Sequence, residues 1–179
     1  MAEFNKVIKW LSLFLFVALS VVLVYESCMP ASVSSEHSGA VGGAVLDVTE
    51  KIEGVVGGDN GAPTLSEQIK SNFGEFSRYI RKGIGHFGAF MVLAILGIIG
   101  LSLTNYKTIP LALISLIYGL FMATLTEAIQ LVTPGRAGAV DDVLLDFFGY
   151  LCGATLVLIA IIIARITTAV KTKKKTHVQ

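Results

Sequence analysis

Eight polar residues stand out in an otherwise apolar chain: Arg81, Lys82 and His86, then Glu127 and Gln130, then Arg136, then Asp142 and Asp146. Glu127 and Gln130 are three residues apart and Asp142 and Asp146 four apart, so each pair shares one helix face. A guanidinium such as Arg136 recognises phosphate or carboxylate through paired hydrogen bonds, and Arg81 and Lys82 add positive charge beside it. Glu127 and Asp142 can orient Arg136 or accept donors from a sugar or headgroup. His86 titrates near neutral pH, and either it or Glu127 has the chemistry of a general base. The sequence contains neither Gly-x-Ser-x-Gly nor a Cys placed to pair with a His, so no nucleophile is marked and catalysis stays the second reading behind binding. A histidine among carboxylates can hold a divalent cation. The spacing along the chain singles out no metal, however, and neither metal nor cofactor is assigned. A purely mechanical alternative is that these groups fasten helix ends, for example through an Arg136–Asp142 pair and a Glu127–His86 hydrogen bond.

The elements that must position these residues are membrane helices. The chain has 179 residues, of which 54% are hydrophobic and 15% charged, with a mean hydropathy of +0.73. A soluble domain carries nearer a quarter charged residues, so the composition predicts an all-α integral membrane protein. Four apolar runs, about 7–25, 84–103, 109–132 and 143–165, approach the ~20 residues that cross a ~30 Å hydrocarbon core. They form one membrane domain over 1–179 with a long segment, 26–83, between the first two. The first run reads as an uncleaved signal-anchor, because Glu26-Ser27-Cys28 lacks a small-x-small cleavage pattern. Cys28 and Cys152 differ in depth along their helices, and no disulfide is expected between them. Gly149 and Gly153, and likewise Gly97 and Gly100, suit close helix packing. Tyr106, Tyr118 and Tyr150 read as interface or packing residues.

Charge sets the expected orientation. Met1–Lys9, the turn at Thr104–Thr108 and the segment from Arg165 onward carry eight Lys/Arg against the single acid Glu3. Cytoplasmic loops collect Lys/Arg, which predicts a multi-pass membrane protein with cytoplasmic N- and C-termini. All eight marked residues then approach the outer face. Charges gather at that rim and leave the midplane nearly uncharged, which argues against a transporter, and nothing in the basic tail Lys171–Lys175 suggests nucleic acid.

In the long outer segment, Val41, Val45, Val48, Ile52 and Val55 recur at helical spacing and predict an amphipathic helix between Gly43 and Gly57. Gly57–Gly61 breaks it. Thr64-Leu-Ser-Glu67 has the pattern of a capping box, followed by an apolar stripe at Leu65, Ile69, Phe73, Phe76 and Ile80. Both helices are expected to lie over the outer face.

The run Thr126-Glu-Ala-Ile-Gln-Leu-Val-Thr-Pro-Gly-Arg136, followed by Val140-Asp-Asp142 and Asp146-Phe-Phe-Gly149, resembles the signature of VanZ-like membrane proteins. Ile80-Arg-Lys-Gly-Ile-Gly-His-Phe87 is similar to that family's basic segment leading into a His, and Ser27, Ser32 and Ser35 are similar in kind to its serines after the first span. Thr126 stands where the family often has Asp, and Asp146 where Asn is common. The resemblance implies the bacterial plasma membrane as the setting, facing the cell wall, and the glycopeptide (teicoplanin) resistance associated with the family's namesake in Gram-positive bacteria. The partners it suggests are membrane lipids, a lipid-linked wall precursor or an anionic envelope polymer. A structural partner subunit is a further alternative, and the sequence does not set the oligomeric state.

The orientation is testable in a chain freed of Cys28 and Cys152. A cysteine introduced as Asn60→Cys or Ala137→Cys should react with an impermeant thiol reagent in intact cells, and Asn105→Cys or Val178→Cys should not. The opposite pattern inverts the topology.

Overall fold

The computed structural model describes residues 2–56, 63–103 and 108–176. The expected break at Gly57–Gly61 and most of the Thr104–Thr108 turn, with Tyr106 and Lys107, lie outside them. Helix α1 (Ala2–Cys28) ends at Met29-Pro30, and α2 (Ala31–Val56) follows it. Short α3 (Leu65–Ser71) follows, then α4 (Phe73–Ile80), a π-helical segment (Arg81–Gly88) and α5 (Ala89–Ser102). Helices α6 (Thr108–Val132) and α7 (Val140–Thr176) complete the bundle. Four helical stretches are long and apolar enough to span a membrane: Glu3–Cys28, Phe73–Ser102, Ile109–Val132 and Val140–Thr167. The all-α membrane fold expected from composition is the fold observed.

Helix α5 is central, packing on α1, α6 and α7. Its Phe90, Leu93, Ala94 and Ile98 meet Leu111, Met122 and Ala123 of α6 and Tyr150 and Ala154 of α7 in one buried cluster. The opposite faces stay apolar and exposed, as at Phe14 of α1, Ile117 of α6 and Ile163 of α7, which suits lipid and leaves little hydrophobic drive between helices. Close approach does the work instead, and small residues permit it. A Cβ on Gly149 would run into the Phe87 carbonyl, and one on Gly153 into the Met91 carbonyl, so α7 meets the π-helical segment and α5 backbone to backbone. Gly97 and Gly100 perform the same service for α1, where an added Cβ would come within 2.8 Å of Phe16 and 2.7 Å of Leu13. Tyr118 and Tyr150 pack inside the bundle with their hydroxyls satisfied, at 2.8 Å from Ser20 and 2.8 Å from Ser115 respectively.

The segment between the first two spans differs from expectation in two ways. Helix α2 begins at Ala31 rather than beyond Gly43, although its first half is rich in Ser and Gly, which favour helix weakly. Packing overrides that preference: α2 lies on α3 and α4, and Gly42 admits Ser77, whose Oγ would be 3.2 Å from an added Cβ. Ser35 and Ser38 also bond back to the backbone carbonyls of Ala31 and Ser35. The second difference lies after Asn72. Residues 73–102 form one helical rod of 30 residues, ~45 Å long at 1.5 Å per residue, so the helix before the second span is continuous with it. The expected capping box is present, with Glu67 N donating to Thr64 Oγ1 (3.3 Å) and Thr64 N donating to Glu67 Oε2 (3.0 Å). Glu53 closes the α2–α3 hairpin by accepting from Leu65 N (2.8 Å) and Ser66 N (3.2 Å). Its carboxyl is held below the usual range, first by the Ser66 hydroxyl.

Gly153→Leu should therefore lower the thermal midpoint in detergent sharply, because overpacking costs typically 1–3 kcal/mol and here backbone meets backbone. Gly43→Ala, which has open space at its Cβ, should leave it unchanged or raise it by the equivalent of ~0.5–1 kcal/mol. Equal effects at the two sites would contradict this packing account.

Candidate functional site

The C-terminal ends of α1 and α6, the start of α7 and the π-helical segment meet at one end of the bundle. A π-helix carries an extra residue per turn and is frequent at functional sites. This one holds Arg81, Lys82 and His86, and its carbonyl at Phe87 is where the Gly149 backbone seats. Because Asp146 lies one turn before Gly149, that contact brings His86 Nδ1 to 3.0 Å from Asp146 Oδ1. Lys82 Nζ donates to Asp142 Oδ1 at 2.6 Å one turn earlier. Two pairs thus lace the π-helical segment to α7.

The connector between α6 and α7 supplies the rest. Gly135 turns it, with φ at 72°, a conformation open to glycine at little cost. Thr133 Oγ1 donates to Ser27 O (3.0 Å) and Ile129 O (2.9 Å). From Ala139 a hydrogen-bonded relay runs back through α6. Ala139 N donates to Glu127 Oε2 (3.0 Å), and Gln130 Nε2 donates to Glu127 Oε1 (2.8 Å). Arg136 Nε then donates to Gln130 Oε1 (3.1 Å), and its Nη1 donates to Glu26 O (3.1 Å) and Met29 O (3.5 Å). These last carbonyls belong to the C-terminal end of α1, where helical carbonyls lack intrahelical partners and a cation is favoured. Arg136 therefore fastens α1 to α6. Burial, and then the like charge of Arg81, push its pKa down, opposed by Glu127 and Glu26, yet a guanidinium stays charged at neutral pH.

A cavity of ≈ 280 Å³ opens beside this network, between α1, α2 and the π-helical segment. Arg81, His86, Gln130, Arg136 and Asp146 give it a polar wall. Leu19, Val22, Leu23, Val41, Ile84 and Phe90 give it an apolar one. Of these, Val22, Val41 and Ile84 remain 50%, 43% and 55% exposed, so the apolar wall runs on into the exposed apolar surface of the bundle. A second cavity of ≈ 220 Å³ shares Arg81, His86, Gln130 and Arg136 and adds Asp142.

All eight residues marked in the sequence come together at this end of the bundle, but not in the expected pairs. Asp142 pairs with Lys82, not Arg136, and His86 with Asp146, not Glu127. Glu127 is buried and, like Lys82, lines neither cavity. Glu26 escaped the sequence reading. Its backbone receives Arg136 and its carboxylate meets His37 Nδ1 of α2 at 3.3 Å. The signal available was Pro30, which stops α1 and has no N–H to serve as the helical i+4 donor to the Glu26 carbonyl.

A bundle of four helices long and apolar enough to span a membrane defines a multi-pass membrane protein. The VanZ/LLP1 family model matches residues 12–163, and the chain belongs to that family. No curated protein and no solved structure matches the chain.

Groups that share a network lose their energies non-additively. Gln130→Ala and Arg136→Ala should each destabilise the protein, and the double variant should lose clearly less than the sum, by ~0.5–3 kcal/mol. Strictly additive losses in chemical denaturation would show that the relay is not a unit.

Proposed function

We propose that this VanZ/LLP1-family protein recognises the anionic, phosphate-bearing headgroup of a membrane-borne envelope component, such as a lipid-linked wall precursor or a phospholipid. In this reading the termini are cytoplasmic, the recess faces outward from the plasma membrane, and the bound component links the protein to glycopeptide susceptibility. One observation carries the reading. Two guanidiniums, Arg81 and Arg136, line a single cavity that also has an apolar lining and the carboxylates of Glu26 and Asp146, and Arg81 makes no ion pair among the described residues. Like charges held together favour an anion between them, and an apolar wall continuous with the exposed apolar surface of the bundle suits an acyl or prenyl chain. The ligand class that satisfies both walls is an amphiphilic anion.

A second reading, an enzyme acting on an ester or phosphate of the same ligand, is favoured by the His86–Asp146 pair, since a base oriented by a carboxylate is a recurrent catalytic arrangement. His86→Gln should then lose ~10²–10⁴-fold in turnover and keep the ligand. In the binding reading it is mild.

Arg81→Ala tests recognition more cleanly than Arg136→Ala, because Arg136 also fastens α1. A charge-assisted hydrogen bond contributes ~1.5–3 kcal/mol, so Arg81→Ala should retain ~10- to 150-fold less phosphate-bearing lipid through purification, measured by mass spectrometry, with folding intact. Equal lipid content in wild type and Arg81→Ala contradicts the reading.

A further inference from the structure

We propose that His86, Glu127 and Asp146 form a binding site for one divalent transition-metal ion of the Zn²⁺ or Mn²⁺ type. The three side chains come from three elements, the π-helical segment, α6 and α7. One donor atom from each lies within 4.8 Å of the other two. Metal–ligand bonds of ~2.0–2.2 Å set ligand atoms roughly 3–4 Å apart, so the donors need to close by only about an ångström.

An independent observation points to a missing partner. Asp146 is fully buried, and its Oδ2 has no hydrogen-bond partner although Oδ1 faces His86. Buried polar atoms in native proteins are almost always paired. A proton on Oδ2 would itself need an acceptor, whereas a cation satisfies the oxygen directly. It also offsets two carboxylates held together inside membrane spans, where uncompensated charge is expensive.

The surroundings are those of an oriented ligand set. Gln130 and the Ala139 amide each donate to one Glu127 oxygen, fixing the carboxylate and leaving lone pairs on both oxygens, as partners beyond the ligands commonly do. Lys82 holds the neighbouring Asp142 in a pair of its own, so Asp142 stands outside the set. One imidazole with two carboxylates is a mixed nitrogen–oxygen donor set, which suits Zn²⁺ or Mn²⁺ better than Mg²⁺ or Ca²⁺, whose sites are built of oxygen. His86 and Asp146 also line the larger cavity, so open coordination positions would face whatever enters it.

The inference goes beyond the headgroup reading and is read with no lipid ligand identified. Full-length protein in detergent is stripped with chelator, then dialysed to equilibrium against Zn²⁺ or Mn²⁺, and its metal is measured by mass spectrometry. Wild type should take up about one ion per chain, and exposed-site Asp141→Asn should match it. Asp146→Asn and Glu127→Gln, both near-isosteric, should lose at least ~10-fold in affinity. Wild type that stays metal-free, or variants that load as wild type does, overturns the proposal. Should those variants fail to fold, His86→Cys retains a ligand and should acquire a thiolate-to-Co²⁺ charge-transfer band that wild type lacks. A folded His86→Cys protein without that band overturns the proposal equally.

Discussion

The site depends on a contact that carries no charge, the seating of the Gly149 and Gly153 backbone against the carbonyls of Phe87 and Met91. Within a bilayer the lipid tails are as apolar as the side chains, so helices gain little by hiding apolar surface and associate through close packing. Any side chain at either glycine would force α7 away from the second span. Once the backbones touch, His86 and Asp146 face each other one turn away, and Lys82 and Asp142 face each other a further turn on. The polar pairs are thus consequences of the glycine contact. The contact has reason to be tight because those pairs must be completed in a medium that offers few other partners.

The relay from Ala139 through Glu127 and Gln130 to Arg136 has a different character. It binds a connector, not a helix face, and it ends on the Glu26 and Met29 carbonyls at the C-terminal end of α1. Loosening it would let α1 swing from α6 and change the width of the cavity between α1 and α2. Arg136 therefore has two duties, fastening α1 and lining the recess, while Arg81 lines the recess without an ion pair among the described residues. That division explains why Arg81 is the better probe of the proposed recognition and Arg136 the better probe of architecture.

Much of this was legible in the sequence. The four spans follow from uninterrupted apolar runs, and the start of α3 follows from Thr64 and Glu67, whose reciprocal bonds are local. The gathering of His86, Glu127, Gln130, Arg136, Asp142 and Asp146 followed from their shared position at the same end of successive spans. The start of α2 was not legible, because Gly and Ser between Ala31 and Gly43 argue locally against helix and only packing on α4 reverses them. The continuous rod through Arg81–Gly88 was not legible, because Gly83, Gly85 and Gly88 favour helix only weakly by themselves. The partner of each charge was also out of reach. Lys82 and Asp142 are 60 residues apart, as are His86 and Asp146, and which pairs form depends on the helix register that the glycines and the π-helical turn impose.

The account therefore stands on the glycine contact as the cause of the His86–Asp146 approach. The direct measurement is cross-linking of His86→Cys to Asp146→Cys by a short bifunctional thiol reagent in native membranes, with Cys28 and Cys152 replaced. Efficient cross-linking that is lost when Gly149→Leu is added is the predicted result. No cross-link with glycine present, or undiminished cross-linking with Gly149→Leu, would contradict it.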